Sequence, residues 1–241
     1  MQILKKRSKN IQMAYSLVSS SKLYSLREAI EVLQKSAFTK FDSTMEVAIK
    51  LGTDPKQTSQ VVRGVVSLPA GTGKSIRVAV VCKPGTIVSG ADVVGGIELI
   101  DDIAAGKIDF DFCIASPDMM GLLGRVARIL GPKGLMPNPK LGTVTSNLDE
   151  AVQKAKAGRI EFRSDKGGAV NSGIGKLSFS VESLEKNIFA FISAVIDARP
   201  SGVKGEYLRS VYLSSTMGPA LRISLADCFA NISSSSAKNP K

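Results

Sequence analysis

Ile76-Arg-Val-Ala-Val-Val-Cys82 is an apolar run of strand length, rich in β-branched residues and interrupted only by Arg77. So continuous a run predicts a strand buried on both faces, which implies a parallel sheet between layers of helices. Its surroundings agree. Ile97–Ala105 has helical spacing with Gly106 as a stop, and Ile108–Ala115 (IDFDFCIA) reads as a second strand. Ser116-Pro117-Asp118 carries an N-cap residue, an N1 proline and an acidic first turn, with Leu122, Leu123, Val126, Ile129 and Leu130 as the apolar face behind it. Asn147 with Glu150 resembles a capping box, and Gly158 ends that helix. Strands alternating with helices give residues 68–158 the texture of a small Rossmann-like α/β domain.

Outside this stretch the rhythm changes. Thr44–Leu51 (TMEVAIKL) alternates as a half-buried strand after a helix faced by Leu26, Ala29, Ile30, Leu33 and Ala37. From Arg159 onward RIEFR, KLSFSVE and YLRSVYL read as strands, and Leu184, Ile188, Phe191, Ile192 and Val195 form one helix face. This is α+β material on both sides of an α/β insert. Charge divides the same way: residues 1–67 carry +6, 68–158 carry +1 and 159–241 carry +4 of the total +11. A split domain of residues 1–67 and 159–230, interrupted by 68–158, follows, because chain termini often lie close together and tolerate insertion. The tail 231–241, NISSSSAKNPK from Asn231, is low-complexity and expected to be disordered.

The excess of 32 basic over 21 acidic residues favours a polyanionic partner. The 241 residues include no His and no Trp, which excludes His-dependent triads and HExxH zinc sites. Cys82, Cys113 and Cys228 are too scattered for a disulfide framework or a CxxC pair. No apolar run approaches the ~20 residues of a membrane span, and the basic start of the chain lacks the apolar core of a secretory signal. That start reads as an RNA-binding arm or as a transit segment. Neither end offers a convincing cationic amphipathic helix for a membrane surface.

Gly71-Thr-Gly-Lys-Ser75 looks like the end of a phosphate loop, but Leu68 stands where the first glycine belongs, and the run precedes a strand instead of following one. Gly173-Ile-Gly-Lys176 fails likewise and reads as a turn before a strand. The pairs Asp101-Asp102 and Asp109/Asp111 have no third polar partner and read as solvated charge. No catalytic constellation, metal site or cofactor is expected. Gly131–Gly142 (GPKGLMPNPKLG) holds three prolines and three glycines, which forbid a helix or central strand. With Lys133, Lys140, Arg125 and Arg128 it suits phosphate contact or a rigid connection equally. The thirteen aromatics are mostly in core-like positions, so recognition by base stacking is not expected. The run Ser214–Pro219 (SSTMGP) offers small donors and a close-approach glycine for 2′-hydroxyls, or is a plain turn.

FDSTMEVAIKLGTDP from Phe41, VRGVVSLPAGTGK from Val62, GPKGLMPNPKLGTV from Gly131 and LRSVYLSSTMGPALRI from Leu208 together resemble one family. It is that of the bacterial large-subunit ribosomal proteins of the mobile stalk beside the tRNA exit site, numbered first in the large subunit. The resemblance implies the split-plus-inserted fold and a cytoplasmic, ribosomal, non-enzymatic protein. It implies large-subunit rRNA, deacylated tRNA leaving the exit site and the protein's own operon mRNA as partners. RNA contacts would fall on Lys40, Phe41, Thr44, Ser210, Thr216, Met217 and Gly218, with a secondary RNA or tRNA contact at Arg125, Arg128, Lys133 and Lys140. Asn171 departs from the family, which often has His there, and the Ser-rich tail has no clear counterpart.

Overall fold

The computed structural model describes residues 8–19, 22–54, 57, 60–83, 85–86, 88–203 and 205–227, with Lys140 described by its backbone alone. The expectations for the tail and for Cys228 lie outside these residues, as does much of the basic start. In chain order the elements are α1 (Lys9–Ser16), α2 (Leu26–Lys35), β1 (Thr44–Leu51), β2 (Arg63–Ser67), β3 (Val78–Val81), β4 (Val93–Gly95) and α3 (Ile97–Ala104). There follow β5 (Phe112–Ala115), α4 (Met120–Leu123), α5 (Ala127–Leu130), α6 (Leu148–Lys156), β6 (Arg159–Arg163), β7 (Ala169–Lys176), α7 (Val181–Asp197), β8 (Leu208–Ser215) and β9 (Ala220–Ile223). The chain is mixed α and β. It divides into two compact units, Met1–Gly73 with Glu161–Lys241, and Lys74–Ile160.

In the outer unit an antiparallel sheet runs in the order β7-β1-β8-β9. β1 alternates buried Met45, Val47, Ile49 and Leu51 with half-exposed or exposed Thr44, Glu46, Ala48 and Lys50. The buried set faces α2 and α7, whose apolar residues Ile30, Leu33, Leu184, Ile188, Phe191, Ile192 and Val195 are all fully buried. Burying side chains of this size contributes about 1.5–3 kcal/mol each before the cost of ordering them. The opposite face carries Lys50, Asn171, Tyr212 and Arg222 to the surface. A two-stranded pair, β2-β6, extends the unit. There Phe162 meets Phe191 edge-on at 5.6 Å and leaves Gly64 no room for a side chain, since a Cβ would come within 2.6 Å of the Phe162 ring.

The seam falls after Gly73, not at 67/68, because the preceding segment is tied to α7. Asn187, fully buried, accepts from Ala70 N–H at 2.9 Å and donates to the carbonyls of Gly71 and Ile174 at 3.0 and 2.8 Å.

The inserted unit has a parallel sheet in the order β4-β3-β5, with β3 buried along its whole length. Val78 and Val80 face α6, while Ala79 and Val81 face α3 and the helical segment after β5. The sheet is thus covered on both sides, as a Rossmann-like layer requires.

Several local expectations are corrected. The second strand starts only at Phe112: Asp111 N–H donates to the Arg77 carbonyl at 2.9 Å and its carboxylate accepts from Arg77 N–H at 3.2 Å just before the strand, and Asp109 lies further out, so Asp109 and Asp111 do not share a strand face. The helix after Ser116 is broken into 3-10 and α turns, with Gly121 and Gly124, poor helix formers, in its middle. Ser116 does not cap it; its hydroxyl is the one buried side-chain polar atom among the described residues without a partner. Asn147 makes no capping bond either. Ala37 lies beyond α2 and is exposed. KLSFSVE is not a strand. Gln34 donates to the carbonyls of Leu177 and Phe179, both at 3.0 Å, and Ser180 caps α7 by accepting from Ser183 N–H, so the chain turns there. The strand is instead β7, which takes in Gly173 and Gly175. A Cβ on Gly175 would come within 3.0 Å of Leu184, so this glycine lets β7 lie close to α7.

Candidate nucleic-acid interface

β1 and β8 end side by side at Thr44 and Thr216. Thr216 N–H donates to the Thr44 carbonyl at 3.0 Å, and Thr44 N–H donates to Thr216 Oγ1 at 3.2 Å. The Thr216 hydroxyl in turn reaches the Thr44 carbonyl at 3.2 Å. This hydroxyl, which the family resemblance nominates as an RNA contact, also bonds within the sheet. Ser215–Gly218 then forms a tight turn closed by Gly218 N–H to the Ser215 carbonyl at 2.8 Å. Met217 sits third in it with φ +68°, the only non-glycine described with positive φ, and is 64% exposed. Turns with positive φ there ordinarily place Gly or Asn at that position, so Met217 is held in a strained conformation with its side chain in solvent. A Cβ on Gly218 would meet the Ser215 hydroxyl, so a side chain there fits only if that hydroxyl rotates away.

The segment leading into β1 is equally ordered. Thr39 Oγ1 donates to the Phe41 carbonyl at 3.0 Å and contacts Ser43 Oγ at 2.5 Å. Asp42 is held by the Ser178 hydroxyl and N–H at 2.7 and 3.2 Å. Phe41, at 56% exposure, is thus displayed by a fixed backbone, beside exposed Lys40. Both segments that meet at the Thr44–Thr216 pair thus present a large apolar side chain, Phe41 and Met217, to solvent.

The sequence-nominated residues therefore do not all converge. Lys40, Phe41, Thr44, Thr216, Met217 and Gly218 belong to one end of the sheet. Ser210 pairs with Lys50, six residues along β1 from Thr44, or roughly 20 Å at ~3.3 Å per residue. It is on the same open face, with Tyr212 between. Sequence reading passed over Tyr212, 37% exposed, and Lys176, whose ammonium donates to Thr44 Oγ1. The alternation of β8 could have revealed Tyr212; nothing in the sequence marks Lys176 apart from a failed phosphate-loop match.

Arg125, Arg128 and Lys133 are exposed on the inserted unit between Gly124 and Gly134. The Gly131–Gly142 stretch is turns and a single 3-10 turn (Pro139–Leu141), pinned by Asn138 N–H to Thr143 Oγ1 at 2.6 Å. Gly71–Ser75 lies in coil before β3, with no helix for a phosphate to cap. No metal-ligating cluster is present among the described residues, and no described helix is long and apolar enough to cross a membrane.

The sequence profile of the Ribosomal protein L1p/L10e family matches residues 33–219. The large ribosomal subunit protein uL1 of Rickettsia bellii (strain OSU 85-389) is 56% identical over 222 residues, spanning 90% of this chain and 93% of its own length. That of Rickettsia prowazekii (strain Madrid E) is 55% identical over the same shares, and that of Rickettsia typhi (strain ATCC VR-144 / Wilmington) is 55% identical over 90% of this chain and 94% of its own. The profile match crosses both seams, running from α2 through the inserted unit to the Ser215–Gly218 turn, and identity above half extends over nearly the full length of the relatives. On these grounds the chain belongs to the Ribosomal protein L1p/L10e family.

Proposed function

We propose that this chain is a structural, non-enzymatic constituent of the large ribosomal subunit. It binds large-subunit rRNA through the open end of its outer sheet, at Phe41, Thr44, Thr216, Met217 and Gly218, with Lys40 and Ser210 on the flanks. The observation that carries this reading is the strained turn at Met217 beside the Thr44–Thr216 pair. A left-handed non-glycine residue costs of order 1–3 kcal/mol, and an exposed apolar side chain returns nothing in the free protein. Binding to a sugar or base surface supplies the missing return. The outer unit, Met1–Gly73 with Glu161–Lys241, also holds +9 of the +11 net charge, which suits a polyphosphate.

The finer reading follows from the family. As part of the mobile stalk the protein assists release of deacylated tRNA from the exit site, with Arg125, Arg128, Lys133 and Lys140 as the secondary contact. It also represses translation of its own operon by binding a messenger structure that imitates the rRNA stem.

Sedimentation of cell extract through a sucrose gradient tests the central claim: the protein should travel with the large subunit at moderate salt, and its absence from that fraction would refute it. For the finer claims, a leader transcript of the operon should compete with an rRNA stem fragment for the purified protein. Replacing Arg125, Arg128 and Lys133 by Gln should leave the stem affinity within about twofold while weakening tRNA binding, since on this reading they belong to the second contact, and exposed charges outside a contact are screened by salt.

A further inference from the structure

Gly173-Ile174-Gly175-Lys176 is no phosphate loop, yet its lysine has an unusual setting. Lys176 ends β7, and its Nζ donates to the Asp42 carbonyl at 3.1 Å and to Thr44 Oγ1 at 3.2 Å. Both acceptors are neutral, and no carboxylate among the described residues lies within ion-pair distance of it. The carboxylate of Asp42 is bonded to Ser178 instead. The aliphatic stem is held as well: a Cβ on Gly73 would come within 2.8 Å of Lys176 Cγ and 2.9 Å of the Phe179 ring, so the backbone at Gly73 closes over both.

A surface lysine normally keeps its head in water and its rotamers free. Here the rotamer entropy is spent in the free protein, the charge is uncompensated, and the third ammonium hydrogen is unassigned. Because Thr44 Oγ1 accepts from the ammonium, its own hydrogen remains to donate outward. A cation and a hydroxyl donor fixed side by side match two oxygens of one phosphodiester.

We propose that Lys176 and the Thr44 hydroxyl together hold a single RNA backbone phosphate at the end of the outer sheet, Lys176 supplying the charge and aligning Thr44. This rests on the reading of that sheet end as the RNA site.

The experiment is a salt titration of rRNA stem-fragment affinity for the wild-type full-length protein and for Lys176→Met, Lys176→Gln and Lys176→Arg, with thermal unfolding of each. The neutral variants should bind about five- to fiftyfold more weakly at low salt, with the slope of log affinity against log salt shallower by roughly 0.7–0.9, the share of one phosphate. Lys176→Arg should keep the wild-type slope. Weaker binding by Met and Gln variants with an unchanged slope would overturn the proposal and leave Lys176 a support for β1. Unchanged affinity would overturn it too. Failure of the wild-type protein to bind the fragment would instead remove the RNA site itself, and the proposal with it, before any variant is compared.

Discussion

Thr216 completes the end of the β1–β8 ladder with its side chain: its Oγ1 accepts the Thr44 N–H at 3.2 Å while its own N–H bonds the Thr44 carbonyl at 3.0 Å. A hydroxyl with this duty cannot be removed without touching the fold, so under the proposed RNA-binding reading stability and RNA affinity should change together at this position.

Thr216→Val keeps the shape but leaves the half-buried Thr44 N–H without its acceptor. It should destabilise the protein by about 1–2 kcal/mol and weaken rRNA-fragment binding at least fivefold, whereas Thr216→Ser should retain both. Thermal unfolding and filter binding on the two variants check this. A valine variant unchanged in both measurements would mean that water replaces the bond and RNA ignores it.

Met217→Gly separates the two properties. Glycine adopts φ +68° freely, which relieves roughly 1–2 kcal/mol, offset in part by a more flexible unfolded chain. Stability should hold or rise by up to about 1 kcal/mol while RNA affinity falls. Should affinity survive the loss of the side chain, Met217 is not an RNA contact.

Asn187→Leu fills the same space but strands Ala70 N–H and the carbonyls of Gly71 and Ile174. The expected cost is about 2–4 kcal/mol, with faster hydrogen exchange at Ala70 than elsewhere in the outer unit. Uniform acceleration across the unit, with Ala70 not singled out, would show that Asn187 acts by packing alone.

Stability against pH should be a broad plateau, because the chain has no His. Bonds from Val78 N–H and Lys156 hold the Asp92 carboxyl below its ordinary value, and Lys154 does the same for Glu150. Groups shifted down contribute above their unfolded pKa and lose that contribution as pH falls through the folded value, so the acid edge lies below about pH 4. Burial pushes the Tyr207 hydroxyl, which donates to the Val195 carbonyl, from 10.0 to about 12, and the Cys113 thiol from 9.0 to about 12. Groups shifted up contribute fully below the unfolded pKa and lose that contribution as pH rises to the folded value, placing the alkaline edge between about 9 and 12. Melting temperature measured from pH 3 to 12 tests both edges; a step near pH 6–7 would contradict the account.

Much of this protein was legible in one dimension. The buried run of β3, the alternation of β1 and the helix face Leu184–Val195 are periodic patterns. Hydrophobic burial follows from period alone wherever an element is long enough to present one face. The mixed α and β architecture, and the family through its motif blocks, came with them. Less visible were the places where one residue bonds to another far along the chain. The bonds between Asp111 and Arg77 just ahead of β5 and those from Gln34 to the carbonyls of Leu177 and Phe179 are long-range hydrogen bonds between residues that look ordinary locally. So is the clamp of Asn187 on Ala70, which sets the seam at Gly73.

The candidate site divides in the same way. The sequence by itself determined the residue types at the sheet end, the excess of positive charge in the outer pieces and the absence of any His, because these are properties of composition and order. Only the tertiary structure decided that the Thr216 hydroxyl serves the ladder, that Met217 is strained and exposed, that Ser210 stands a strand's length away and that Lys176 bonds to Thr44. The reason is geometric: β1 and β7 pair across more than a hundred residues of intervening chain. A side chain acquires its partners only when that register is fixed, and no local pattern around Gly173–Lys176 records which strand will lie beside it.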